Sequence, residues 1–138
     1  LSLLSAERIG LIPEFREAKP SQMSYRELEI FRDSKKLAID VHRMTLELPK
    51  FEMYEEGGQV RRSSKAVASN ILEGYCRRRY KAEYIRFLVY AQAECDETLL
   101  HLEFIDETMS ATDNDGTIAK MREAYDVLSK RINRYIKW

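Results

Sequence analysis

Glycine and proline are scarce here: five glycines and three prolines in 138 residues. An all-β fold needs many turns, and turns draw on these residues, so sandwiches and barrels are excluded. Cysteine is nearly absent. Cys76 and Cys95 have no metal-ligand spacing and no secretory context, so they read as small semi-buried thiols in a reducing compartment. No apolar run approaches the roughly 18 residues needed to cross a bilayer. Leu1 to Leu4 lack the basic flank and long apolar stretch of a signal peptide. A cytoplasmic protein that does not enter membranes is the expectation. Net charge is missing too: 23 Lys and Arg balance 23 Asp and Glu. The total therefore announces no nucleic-acid binder, although totals conceal local asymmetry.

Catalytic motifs are equally sparse. His42 and His101 belong neither to an H-E-x-x-H run nor to the E-x-x-H motif of di-iron bundles. Glu97 and His101 are i, i+4 neighbours and read as a surface pair. There is no G-x-S-x-G, no P-loop and no G-x-G-x-x-G. Asn70 and Glu73 fit a hydrogen-bonded structural role better than acid/base chemistry. The chain is expected to carry no catalytic residue, no metal and no cofactor, and so not to be an enzyme.

What is present is helix. Apolar residues at 44% suit a globular domain, and charged ones at 33% suit helical surfaces. Residues 1–22, with Gly10, Pro13 and Pro20, show no sustained period and read as a mobile or loosely docked leader. Residues 23–138 read as one domain. Ser24-Tyr25-Arg26-Glu27 forms a capping box in which the Ser24 hydroxyl would accept the Glu27 amide. The first helix then carries Ile30, Ser34, Leu37, Val41, Met44 and Leu48 on one seam, up to Pro49. A connection over Lys50–Gly58 follows. The second helix, to about Tyr75, presents Val60, Ser64, Val67, Ile71 and Gly74, a face small enough for close packing. The third, about Lys81–Met109, repeats at four and three residues through Tyr84, Leu88, Ala91, Cys95, Thr98, Leu102 and Ile105. Phe87, Leu99 and Phe104 widen its apolar surface. A turn over Thr112–Gly116 precedes the fourth helix, with Ile118, Met121, Tyr125, Leu128, Ile132 and Tyr135. Short connections predict an all-α, antiparallel, up-down-up-down four-helix bundle. The apolar surface exceeds one core's need, which predicts self-association.

Charge is separated along the chain. Residues 61–86 hold eight basic side chains and two acidic ones, while residues 94–115 hold eight acidic ones and no Lys or Arg. Up-down-up-down packing would collect Arg77, Arg78, Arg79, Lys81, Arg86, Lys130, Arg131, Arg134 and Lys137 at one pole, among Tyr75, Tyr80, Tyr135 and Trp138. This predicts a phosphate-binding surface on which Tyr75 and Tyr80 stack bases. The competing reading is solvated helix ends and salt bridges between subunits or with a protein partner.

Three stretches carry a resemblance: Ser24-Tyr25-Arg26-Glu27-Leu28-Glu29-Ile30-Phe31; Gln59-Val60-Arg61-Arg62 with Ser69-Asn70-Ile71-Leu72-Glu73-Gly74-Tyr75; and Glu83-Tyr84-Ile85-Arg86-Phe87-Leu88. From Met23 onward the chain resembles the four-helix-bundle family first noticed in intervening sequences of bacterial 23S rRNA genes. Arg61, Arg62, Ser69, Asn70, Glu73 and Gly74 match its central signature, in a structural role. Ala68 stands where the family usually has Pro, so a weaker kink is expected. Such proteins are similar to the accessory proteins of diversity-generating retroelements. That likeness implies a ring-like homopentamer, binding to RNA or DNA, and a reverse transcriptase or other protein as partner.

Overall fold

A computed structural model of the chain describes residues 24–108 and 115–137. The expected leader, Met109, most of the turn after the third helix, and Trp138 lie outside the described residues. After a 3-10 turn at Tyr25–Glu27 come α1 (Glu29–Thr45), α2 (Lys50–Tyr54), α3 (Glu56–Cys76), α4 (Lys81–Thr108) and α5 (Thr117–Lys137).

The first helix departs from expectation at both ends. The Ser24 hydroxyl accepts the Arg26 amide at 3.2 Å, not that of Glu27, and caps only the 3-10 turn. Leu28 is extended (φ −69°, ψ 125°), which plants its side chain in the core at 2% exposure and lets α1 start one residue later. The Tyr25 ring stands edge-on to Phe31, centroids 4.9 Å apart, and fixes the entry. At the other end α1 stops at Thr45. Leu46, Glu47 and Leu48 donate to carbonyls three residues back, a tightened last turn. Pro49 disfavours α geometry at the residue before it, so the helix winds down early.

The connection is itself partly helical: α2 follows Pro49 directly, and α3 already includes Gly57 and Gly58. Gly57 is buried where α2 folds against α3. A Cβ there would stand 2.9 Å from the Glu52 carbonyl oxygen, which only glycine avoids. At the start of α5, Gly116 adopts φ 72°, a left-handed conformation, while Asp115 accepts the Thr117 amide at 3.1 Å.

Contacts run α1–α3, α3–α4, α4–α5 and α5–α1, so α1 faces α4 and α3 faces α5 across the diagonals. Every neighbouring pair is antiparallel. Arg61 near the start of α3 donates to Thr45 at the end of α1 (2.9 Å). Gly74 near the end of α3 meets Tyr84 and Phe87 at the start of α4. Arg122 at the start of α5 reaches Asp106 at the end of α4 (2.9 Å), and Arg131 near the end of α5 reaches Glu29 at the start of α1 (2.7 Å). The bundle is up-down-up-down.

The seams read from the sequence form the core. Val60, Ser64, Val67, Ile71 and Gly74 of α3 are buried, as are Tyr84, Leu88, Ala91, Cys95, Thr98, Leu102 and Ile105 of α4. Ile118, Met121, Tyr125, Leu128 and Ile132 of α5 close it. Each fully buried Leu, Ile or Val contributes about 1.5–3 kcal/mol. The small hydroxyls are satisfied: Thr98 Oγ1 lies 2.8 Å from both Ser63 Oγ and the Glu94 carbonyl, bridging α3 and α4. Burial pushes the Cys95 thiol up to about 12, which makes it an inert core residue. The α1–α5 side is the least closed. It leaves a groove of about 820 Å³ between Leu37, Met44 and Leu48 on one wall and Ile118, Met121 and Ala124 on the other.

Candidate nucleic-acid interface

The end of α3 is bound tightly to the start of α4. The amides of Arg77 and Arg78 donate to the carbonyls of Gly74 and Tyr75, and the Tyr80 amide to Arg77 O at 2.9 Å, so the turn needs only four residues. Gly74 makes this possible. A Cβ at that position would sit 3.0 Å from Phe87 Cβ and 3.2 Å from Tyr84 O.

The basic side chains fall into two kinds. Arg78 folds back, donating to Tyr75 O at 2.9 Å, with its guanidinium 4.1 Å from the Tyr75 ring centroid. It caps the carbonyl end of α3, where the helix dipole favours a cation. Arg77 pairs with Glu73 (3.3 Å) and Glu83 (3.6 Å) and lies over Phe87. Arg86 pairs with Glu83 at 2.8 Å and lies over Phe87 and Tyr90. Arg131 is clamped between Asp33 and Glu29 of α1, and Lys130 pairs with Asp126 at 3.0 Å. In contrast, Arg79, Lys81, Arg134 and Lys137 make no ion pair among the described residues, and all but Lys81 are exposed. Tyr80, 64% exposed, stands between Arg79 and Lys81.

Two expectations need correction. Tyr75 is 2% exposed, edge-to-face with Tyr84, and one of its faces is covered by Arg78, so it cannot stack on a base. Its position one residue before the helix end put it beside the arginines in sequence, but the helical phase turns it inward. The continuous basic pole is also divided. The ends of α3 and α5 share one end of the bundle but stand on a diagonal, and Glu29 and Asp33 of α1 lie beside Arg131. Glu29 and Asp33, in the first two turns of α1, take up the Arg131 guanidinium of α5. Their charge was readable in the sequence, but the pairing across 98 residues was not.

The signature residues hold the scaffold. Arg61 bonds Thr45, and Arg62 meets Glu97 at 2.5 Å and Glu94 at 3.7 Å. The Ser69 hydroxyl and the Asn70 amide both donate to Ala66 O, and Glu73 holds Arg77. α3 runs uninterrupted through Ala68. Sequence reasoning missed one network. His101 is only 13% exposed in its side chain, with Nδ1 2.7 Å from Glu56 and Nε2 3.6 Å from Glu97. The Glu97–His101 pair thus lies at the α3–α4 seam, not on an open surface. These pairs, with those of Arg122, offset the unfavourable polarity of α4, which begins basic and ends acidic. Among the described residues no three His, Cys, Asp or Glu side chains converge to hold a metal ion, and no helix is long and apolar enough to cross a membrane.

Fold and surface together define an all-α, antiparallel four-helix bundle with a partly neutralised cationic end. The family model of the 23S rRNA-intervening sequence protein matches residues 26–134, and the chain belongs to that family. A crystal structure of a protein of unknown function from the S23 ribosomal protein family of Bacteroides thetaiotaomicron has the same fold. It superposes with a TM-score of 0.66 at 22% identity, covering 79% of this chain and 99% of the other. No curated protein matches the chain.

Proposed function

We propose that this chain is a non-catalytic, self-associating bundle that contacts RNA or DNA through the α3–α4 turn. One observation carries the reading. Arg79 and Lys81 have no ion pair among the described residues and are the chain neighbours of the exposed Tyr80, while Arg77, Arg78 and Arg86 are engaged. Two unpaired cations next to an exposed aromatic residue suit a short stretch of single strand. Arg134 and Lys137, at the same end, extend the field. The ion-paired Arg77, Arg86 and Arg131 hold the surface in shape and contribute less directly. Self-association, with a five-membered ring as the form the family resemblance implies, is supported by the exposed Leu46, Phe51 and Tyr54 at the α1–α2 corner.

Fluorescence titration with single-stranded RNA checks this. The logarithm of the affinity is expected to fall linearly with log salt, and Arg79→Ala with Lys81→Ala to reduce that slope by about 1.4. Absence of binding at low salt, or an unchanged slope in the double variant, refutes it.

A second reading has its own support. Arg77, Arg86 and Arg131 are already neutralised by Glu73, Glu83, Glu29 and Asp33. That favours a scaffold or accessory subunit for a protein partner, such as a reverse transcriptase, over a general nucleic-acid binder. Capture of a protein partner that survives the Arg79/Lys81 double substitution, with no RNA affinity, would select it.

A further inference from the structure

Two arginines beside the α3–α4 turn converge on a single atom. Arg77, just past the end of α3, and Arg86, in the second turn of α4, approach Glu83 Oε1 to 3.6 Å and 2.8 Å. The Phe87 ring lies against both. Its centroid is 5.0 Å from the guanidinium carbon of Arg77 and 5.3 Å from that of Arg86. Phe87 is half-buried, its Cβ set against Gly74 and its ring edge-on to Tyr90, centroids 5.5 Å apart. An anchored aromatic floor thus positions both cations.

Glu83 fills this cradle incompletely. Its Oε1 accepts a hydrogen bond from Arg86, but Arg77 meets it only at ion-pair distance and is shared with Glu73 at 3.3 Å. We infer that Arg77, Arg86 and Phe87 form a phosphodiester site, which Glu83 occupies as an internal substitute for the phosphate. The inference rests on the proposed contact with RNA or DNA, and adds a second phosphate position with the group that closes it. Arginine forks suit phosphate oxygens, and a phosphodiester offers two free oxygens where Glu83 gives one. Glu83 stands in the first turn of α4 with its side chain 34% exposed. Exposed ion pairs are weak, so the carboxylate can swing out to water.

The cradle also brackets the primary contact, with Arg77 before Arg79, Tyr80 and Lys81 and Arg86 after them. Its two arginines against Glu73 and Glu83 leave no net charge, so it exerts little pull at a distance. A strand first caught by Arg79 and Lys81 brings its next phosphate close enough to displace the carboxylate. Inorganic phosphate has no such anchor. The closed cradle therefore selects the polymer over the free ion.

Titration with single-stranded RNA over a salt series tests this. Glu83→Gln keeps the side chain's shape and removes its charge. It should raise affinity at low salt roughly fivefold and steepen the logarithmic salt slope by about 0.7, one further contact on a single strand. Glu83→Ala should act alike, with helical circular dichroism unchanged in both. Adding Arg86→Gln to Glu83→Gln should return slope and affinity to wild-type values. Glu107→Gln makes the same charge change about 36 Å along α4, beyond the screening length, and should alter neither. Inorganic phosphate at matched ionic strength should not compete with RNA for the wild type. The same gain from Glu107→Gln, a gain that survives Arg86→Gln, or competition by inorganic phosphate would overturn the cradle. If the wild type binds RNA and Glu83→Gln adds nothing, the contact through Arg79 and Lys81 stands and the cradle falls. If only Glu83→Gln binds, the cradle stands and that contact falls. If neither binds, both fall.

Discussion

Glycine illustrates how differently one residue type is used along this chain. At Gly74 an added methyl meets Phe87 Cβ at 3.0 Å and the Tyr84 backbone at 3.2 Å, so Ala must push α4 away. Overpacking of this kind costs about 1–3 kcal/mol, more than the roughly 1 kcal/mol that Ala gains over Gly in a helix. Gly74→Ala is expected to unfold at lower urea. A Cβ at Gly58 would have only an arginine tip, 3.8 Å away, within contact distance. Gly58→Ala should therefore raise stability, by up to about 1 kcal/mol, in the same denaturation experiment. Inversion of that pair of signs would show that the α3–α4 crossing is looser than described.

At the scale of elements, the α3–α4 seam couples close packing to a chain of charges. Glu94 lies on it with one carboxylate oxygen buried and unpartnered. Burial, and then the neighbouring Glu97, hold its carboxyl above the ordinary Glu range, against the opposing pull of Arg62. The folded state thus binds this proton more tightly than the unfolded chain. The associated stability is fully present below the ordinary Glu value and is lost as pH rises through the raised one. Glu94→Gln, which imitates the protonated form, should be more stable than wild type at neutral pH, on the order of 1 kcal/mol. The difference should close on acidification to about pH 4. Thermal melts across that interval decide it, and a gap independent of pH would place the effect elsewhere.

Across the whole molecule, arginines divide into those that join helices and those that face outward. Arg131 ties α5 to α1 on the least closed side of the bundle, with its side chain 26% exposed. Its replacement by Ala is expected to lower the melting temperature by a few degrees, about 1 kcal/mol, and to leave RNA affinity nearly unchanged. Arg79→Ala with Lys81→Ala should do the reverse. Parallel melting and binding measurements separate the roles, and a variant pair that moves both quantities together would contradict the division.

Helix type, the four inner seams and their short connections were legible in the residues alone, because burial on one face imprints a period near 3.6 wherever the core lies. From Leu88 to Ile105 that imprint is unbroken. Local rules failed where two signals overlapped. Ser24 and Glu27 form a box by spacing, yet Leu28, drawn extended into the core, separates their 3-10 turn from the helix that starts at Glu29. Tertiary structure alone decided which charges remain available. Charge runs are visible in sequence, but an ion pair such as Arg131 with Asp33 depends on which helices become neighbours, and that follows from packing the whole bundle. The same dependence turned Tyr75 inward and left Tyr80 exposed. Composition specified the rods and their buried faces; their mutual arrangement selected the surface on which function rests.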